Sequence, residues 1–287
     1  MKLCKNDLLL FHKKRDLQKS IDINALEGWK EYLSATNNGG RMNTKEVIVA
    51  VIDTGVRYDH EDLKDIMWKN PGEIEGNGID DDGNGFVDDV FGINTITNSS
   101  DPMDVPGFRA GHGTHCAGII AAKENNGKGI AGLASYTNGK VKIMALKAIS
   151  DGLGYSSSAV TALEYALSKG AKVSSNSYGG FGFIGSTWEN LKDVLEKNPN
   201  HLFVTTAGNY GVKITPWNLY NPCATGLSNV LCVGSTNIYD SKAETSSYGK
   251  NYVHVFAPGH DILSTHHRNT KDYVYKSGTR YVDKFFT

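Results

Sequence analysis

The chain has 287 residues, enough for one large domain or two small ones and for a sizeable core. Thirty Lys and Arg stand against 31 Asp and Glu, and this net charge of -1 removes the usual basis for binding nucleic acid or an anionic membrane surface. The longest clean apolar run, Val47 to Ile52, falls far short of the roughly 20 residues that a membrane-spanning helix needs.

From the N-terminus, Leu8 to Phe11 is a short apolar patch followed by Lys13, Lys14 and Arg15 without a small-residue cleavage site, so it does not read as a signal peptide. Beyond it, short β-branched runs bounded by Gly, Pro, Asn or Ser predict strands over Val47–Ile52, Val141–Ala148, Lys172–Asn176, Leu202–Thr206, Val230–Gly234 and Tyr252–Phe256. Helical patterns fall between them. Val160, Leu163, Ala166 and Leu167 share a face in a helix over Ser157–Ser168 that Gly170 ends, and a second helix spans Trp188–Lys197. Alternating strands and helices predict an α/β fold, a doubly wound and mostly parallel sheet with helices on both faces. Residues 69–107, rich in Gly, Asn, Asp and Pro, are too long for an ordinary connection and read as a functional insert with local order of its own.

Four segments carry chemistry or offer a surface to substrate. Val47 to Gly55 is a buried strand that ends in Asp53-Thr54-Gly55, which puts a carboxylate at the carboxyl edge of the sheet where α/β sites form. Alone it reads equally as an Asp capping a loop. An aspartic protease would need a second such triplet, or an all-β homodimer of a much shorter chain, and this sequence has neither. Gly111 to Ala122 opens a small-residue helix with His112, whose ring nitrogen Asp53 could hold; Gly113 allows close approach, and His115 reads as structural. Phe203 to Asn209 closes a strand on Ala207-Gly208-Asn209, where the Asn209 amide could serve as an oxyanion donor or as a plain turn residue. Ser177, Tyr178, Gly179 and Gly180 follow another strand and offer exposed backbone to an extended peptide.

These motifs, in this order and on these elements, resemble the subtilisin-like serine proteases over roughly residues 24 to 279. The resemblance implies that Asp53 orients the imidazole, that His112 is general base and then acid, and that Asn209 binds the oxyanion. It implies that Ser177, Tyr178 and Gly179 pair with the substrate backbone and, with Ala207 and Gly208, wall the pocket for the residue before the scissile bond. Cys116, directly after His115, is similar to the thiol of the proteinase K-like branch, where modification should disturb His112. A secreted monomeric endopeptidase acting on proteins or peptides is the implied whole, with residues 1–23 as an N-terminal extension left from a pro-segment and 24–287 as the protease domain.

The sequence departs from the family at the nucleophile. The family pattern Gly-Thr-Ser-Met-Ala is replaced by Gly278-Thr279-Arg280, and Tyr281 to Thr287 continues without the nucleophile helix, so the domain is expected to be incomplete at its C-terminus. Ser277 lies three positions too early. Losing the serine from subtilisin costs about 2 × 10⁶ in kcat, so the chain as written is expected to be inactive. A frameshift, misread intron or alternative splice is the preferred explanation, over a non-catalytic pseudoprotease that holds peptides as a decoy.

Within the insert, Asp80, Asp82 and Asn84 occupy loop positions 1, 3 and 5 with Gly85 at 6, a spacing that wraps a hard cation. The backbone of Phe86 and the carboxylate of Asp88 or Asp89 would close the shell, because position 12 is Phe91. Calcium is the expected structural cofactor. By resemblance, a second calcium loop would use Asp62, Asn125 and carbonyls between Lys123 and Ile130. Cys223 and Cys232 could form a disulfide or remain two buried thiols. Asn98-Ser99-Ser100 is a glycosylation sequon.

Overall fold

The computed structural model describes residues 25–37, 45–107, 110–137, 139–150, 153–154, 156–182, 185–281 and 283–287; the extension expected over 1–23 lies outside them. In chain order the elements are α1 (Ala25–Asn37), β1 (Val47–Asp53), β2 (Gly92–Asn94), α2 (His112–Ala121), β3 (Val141–Lys147), β4 (Ile149–Ser150), β5 (Leu153–Gly154), α3 (Ser156–Ser168) and β6 (Val173–Asn176). They continue with β7 (Gly180–Phe181), α4 (Ser186–Lys197), β8 (Leu202–Thr206), β9 (Tyr220–Asn221), β10 (Val230–Thr236), β11 (Val255–Pro258), β12 (Ile262–His266) and β13 (Asp272–Lys276).

Seven strands form one parallel sheet in the order β11-β10-β8-β6-β1-β3-β2. β1 lies inside the sheet between β6 and β3, and its side chains alternate between the two faces, as a strand must. Ala50 and Ile52 join Met144, Leu146, Leu163, Leu191 and Phe203 beneath α3 and α4. Val49 and Val51 join Cys116, Ala117, Ile120, Ile143 and Ala145 beneath α2. The fold is therefore the doubly wound α/β sheet that the alternating pattern implied.

Five of the six predicted strands match in place. The sixth moves from Tyr252–Phe256 to Val255–Pro258, because Tyr252 and Val253 both donate their N–H to Gly249 O and the chain is still turning there. The short edge strand β2 and the antiparallel β12–β13 hairpin were not read from the sequence. Cys223 and Cys232 are joined in a disulfide with their Cα atoms 5.0 Å apart, which decides between the two readings of that pair. Helix α1 docks through Trp29, whose Nε1 donates to Leu133 O at 2.8 Å while its ring stacks on Tyr136.

Candidate active site

Parallel strands bring their carboxyl ends to one edge, and the site residues follow from that geometry. Asp53 ends β1, Ser177 follows β6, and Ala207-Gly208-Asn209 follows β8. The start of α2 lies on the same edge because Gly113 lets the first helical turn rest on the β1 turn: a Cβ there would stand 2.2 Å from Gly55 O. Gly113 N–H also donates to Thr54 Oγ1 at 3.0 Å.

This contact delivers His112 to Asp53. Nδ1 lies 2.8 and 2.9 Å from the two carboxylate oxygens, so it carries the proton and donates, and Thr54 N–H adds a 2.8 Å bond to Oδ1. Asp53 is fully buried and His112 nearly so. Burial alone would lower the imidazole pKa, and the helix start disfavours imidazolium, but the Asp53 carboxylate outweighs both and raises His112 to about 10. Burial likewise opposes ionisation of Asp53, and the His112 charge and hydrogen bond override it, leaving the carboxyl at about 2. Nε2, the nitrogen that would face a substrate, is buried without a hydrogen-bond partner among the described residues. One turn on, the buried Cys116 Sγ lies 3.6 Å from Nδ1, close enough for modification to disturb the ring. His115 turns its Nε2 toward Ile262 O and Val274 O, and burial holds it well below the ordinary histidine range, in keeping with a structural role.

Asp104, which the sequence reading missed, supports the helix start. It is buried and accepts from Gly111 N–H at 3.0 Å and Thr114 N–H at 3.3 Å, backbone donors that a helix start leaves unpaired, and from the Thr114 hydroxyl at 2.6 Å. The signal available was an Asp shortly before a helix that lacks its own side-chain cap.

Asn209 is exposed at the cleft, and its Oδ1 accepts from Thr279 N–H at 2.8 Å and from Thr279 Oγ1 at 2.7 Å. With the oxygen committed, Nδ2 is the group left to donate. Thr206 Oγ1 completes a hydroxyl relay to Thr279 Oγ1 at 2.7 Å. The next residues cross to His112, where the Tyr281 ring packs 4.9 Å from the imidazole and 4.8 Å from His115. Lys284 follows, buried with Nζ on Ser175 Oγ. Ser277 is elsewhere, its Oγ accepting from Asp261 N–H at 2.9 Å. The Tyr178 hydroxyl donates to Asn176 Oδ1 at 2.9 Å, and burial, followed by the Asp53 charge, pushes its pKa up.

The acidic insert arranges its oxygens differently from the expected loop. Asp82 and Asp89 converge with Glu73, each offering an oxygen within 4.8 Å of the others. Asp80 instead caps the turn by accepting from the N–H groups of Asn84 and Gly85. Asn84 turns its Nδ2 to Asp89, and Phe86 packs edge-on against Tyr165. Asp82 pairs with Lys169 and accepts from Asn70, and Asp89 accepts from Asn70 and Tyr165. Three carboxylates on one point are hard-oxygen donors of the kind calcium takes, with oxygens of Asp82 and Asp89 already engaged by Lys169, Asn70, Asn84 and Tyr165. Glu73 escaped notice because it precedes the predicted loop.

At the second expected calcium loop the carboxylate of Asp62 is engaged within the protein. Asp62 is fully buried, and its oxygens already accept from Asn126 Nδ2, Ile130 N–H and Tyr273 OH at 2.6, 3.0 and 2.8 Å. Asn125 is exposed in a left-handed turn at φ 56°, so its neighbour Asn126 meets the carboxylate instead.

Comparison with known proteins places this geometry. The subtilase family model (peptidase S8) matches residues 44–281. Subtilisin-like protease 1 of Plasmodium falciparum (isolate 3D7) is 30% identical over 274 residues, covering 89% of this chain and 38% of that protein. The thermophilic serine proteinase of Bacillus sp. (strain AK1) is 38% identical over 232 residues, covering 80% and 48%. The chain thus spans less than half the length of these two relatives. Among solved structures, a protease from Pseudoalteromonas arctica aligns with a TM-score of 0.62 at 28% identity, covering 84% of this chain and 75% of that one. On the family match, these relatives and the shared sheet, the chain belongs to the subtilase family.

Proposed function

We propose that the domain, residues 24–287, is a serine-type endopeptidase scaffold that holds an extended peptide along Ser177–Gly180, and that the sequence with Arg280 in the nucleophile's place does not turn it over. One observation carries the reading: Thr279 is anchored on Asn209 while Tyr281 lies against His112. The position between them is where an attacking hydroxyl would need to stand, within reach of both the base and the oxyanion donor. Asp53 orients His112 toward such a group, whose proton only the neutral imidazole, the minor form below about pH 10, would take, and Asn209 Nδ2 would stabilise the oxyanion.

Calcium, where bound, would be held by Glu73, Asp82 and Asp89 and would neutralise their mutual repulsion, tying the insert to α3 through Tyr165 and Lys169. A secretory location is supported by the Cys223–Cys232 disulfide and by the sequon at Asn98. No helix among the described residues is long and apolar enough to cross a membrane. Residues 1–23 are assigned to a pro-segment remnant, and the protein to a monomer.

Hydrolysis of casein and of extended chromogenic peptides tests the reading. The 287-residue protein is expected to release no more product than its His112→Ala variant, while binding product-like peptides. Hydrolysis that disappears in His112→Ala would refute the missing-nucleophile reading, and failure to bind any peptide would refute the peptide cleft.

A further inference from the structure

The β12–β13 hairpin folds back over α2 and is tied to it by side chains. Ser264 Oγ donates to His115 O at 2.7 Å and Thr265 Oγ1 to Thr114 O at 2.8 Å, while His115 Nε2 reaches back to Ile262 O and Val274 O. Where β12 ends, His266 and His267 set their rings against the start of α2. A Cβ built on Gly111, at φ 81°, would stand 2.4 Å from both His266 Nε2 and His267 Nδ1, so the two rings rest on bare backbone. Both residues are buried, and their rings meet edge-on at 4.4 Å. From this seat the hairpin carries the chain on to Thr279, whose N–H is held by Asn209 Oδ1.

The seat suits neutral imidazoles. His266 Nδ1 donates to Asp272 Oδ2 at 2.8 Å, so in the neutral ring Nε2 faces Gly111 without a proton. His267 Nδ1 is buried with no hydrogen-bond partner among the described residues, and a proton added there would find no acceptor. Cations surround the pair. Lys276 of β13 donates from Nζ to Gly111 O at 3.2 Å, Arg268 stands in the turn with Nε 3.8 Å from Asp272 Oδ2, and Arg57 donates from Nη1 to His267 O at 3.2 Å. On the α2 side stand His115, Cys116 and the Asp53–His112 pair, with Asp104 on Gly111 N–H, and His60 lies on Asp272 O. Asp272 is the carboxylate that meets the pair, since Asp53 is taken up by His112 and Asp59 by Arg57, and burial raises the carboxyl of Asp104. Burial outweighs the Asp272 bond and keeps His266 below the ordinary histidine value; burial, with His266, Lys276 and Arg268, holds His267 down at about 4.

We propose that His266 and His267 are an acid-opened latch: as neutral rings they seat the hairpin on Gly111, and when they take up protons the hairpin lifts from α2 and draws Thr279 away from Asn209. A proton on either ring adds a cation beside Lys276 and Arg268, and leaving the seat returns the charged imidazoles to water. Free of the seat, His267 titrates near 6.5 instead of about 4, so linkage increasingly favours the open hairpin as pH falls from 6.5 toward 4. Between pH 7 and pH 5 this amounts to about 20-fold for His267 alone. Asp53, at about 2, and His112, at about 10, stay charged over that range, so the sheet beside them keeps its contacts.

Hydrogen exchange by NMR in the 287-residue protein tests the latch, with rates corrected for the intrinsic effect of pH. The Gly278 and Thr279 amides, bonded to Gly259 O and Asn209 Oδ1, should lose at least about 10-fold in protection from pH 7 to pH 5, while β1 and β8 amides lose none. His266→Asn combined with His267→Asn keeps polar side chains that take up no proton, and should abolish the loss. Should that variant fail to fold, titration of the wild-type imidazoles decides: both are expected below 6.5, and a His267 midpoint at or above 6.5 overturns the latch. Full protection at pH 5, equal loss from hairpin and sheet, or an undiminished loss in the folded double variant overturns it too.

Discussion

Replacing Asp53 by Asn removes the charge that holds His112 protonated while leaving the imidazole buried. In the wild type the His112 pKa stands at about 10, because the carboxylate 2.8 Å from Nδ1 more than offsets burial. Neutral pH lies about three pH units below that value, and at about 1.4 kcal/mol per unit the pairing is worth on the order of 4 kcal/mol at pH 7. That agrees with the roughly 3–5 kcal/mol lost when one partner of a buried pair is removed. In Asp53→Asn, burial is opposed only by the neighbouring Cys116, and His112 should titrate well below its wild-type value of about 10. The sign with pH follows from linkage. The His112 contribution is complete below 6.5 and fades as pH rises through about 10; that of Asp53 is present above 3.8 and fades as pH falls to about 2. NMR titration of the imidazole in both proteins, with urea unfolding at pH 5, 7 and 10, measures both effects. A wild-type His112 titrating at or below 6.5, or an Asp53→Asn protein as stable as wild type at pH 7, would refute the reasoning.

Other perturbations test separate parts of the molecule. If Glu73, Asp82 and Asp89 hold calcium, saturation at 100 times Kd should add about 2.7 kcal/mol, a rise in Tm of several degrees that Glu73→Gln with Asp82→Asn abolishes; an unchanged melt on chelation counts against the site. Reducing the Cys223–Cys232 bond, or Cys232→Ser, closes no loop in the unfolded chain and should cost about 2–3 kcal/mol in urea unfolding for a separation of 9 residues. Phe203→Ala empties a fully buried position between α4 and the sheet and should cost about 3–5 kcal/mol by the same measurement.

The sequence was most legible where function depends on local order. Asp53, Ser177 and Asn209 each stand at or just after the end of a buried strand, and His112 opens a helix of small residues, so local patterns marked the four positions while the resemblance to subtilisin-like proteases supplied their roles. The pieces that escaped are held by distant partners. Glu73 lies outside the Asp-rich loop, and only the folded insert brings it to Asp82 and Asp89. His266 and His267 reach Gly111 only where the β12–β13 hairpin folds back onto α2. It is Asn126 that meets Asp62, beside Asn125 in a left-handed turn, a pairing without a local sequence signature. Tyr281 and Thr279 became informative only once β12 and β13 had carried the chain back to Asn209.

The central claim is that a subtilase cleft here lacks its nucleophile, and active-site labelling tests it most directly. Incubation of the 287-residue protein with a fluorophosphonate, read by intact mass, is predicted to add nothing to the 31.2 kDa chain, because the reagent requires a serine activated by a base and Arg280 stands where that serine would follow Thr279. Stoichiometric labelling that is lost in His112→Ala would contradict the account, and the labelled peptide would identify the serine that the base activates.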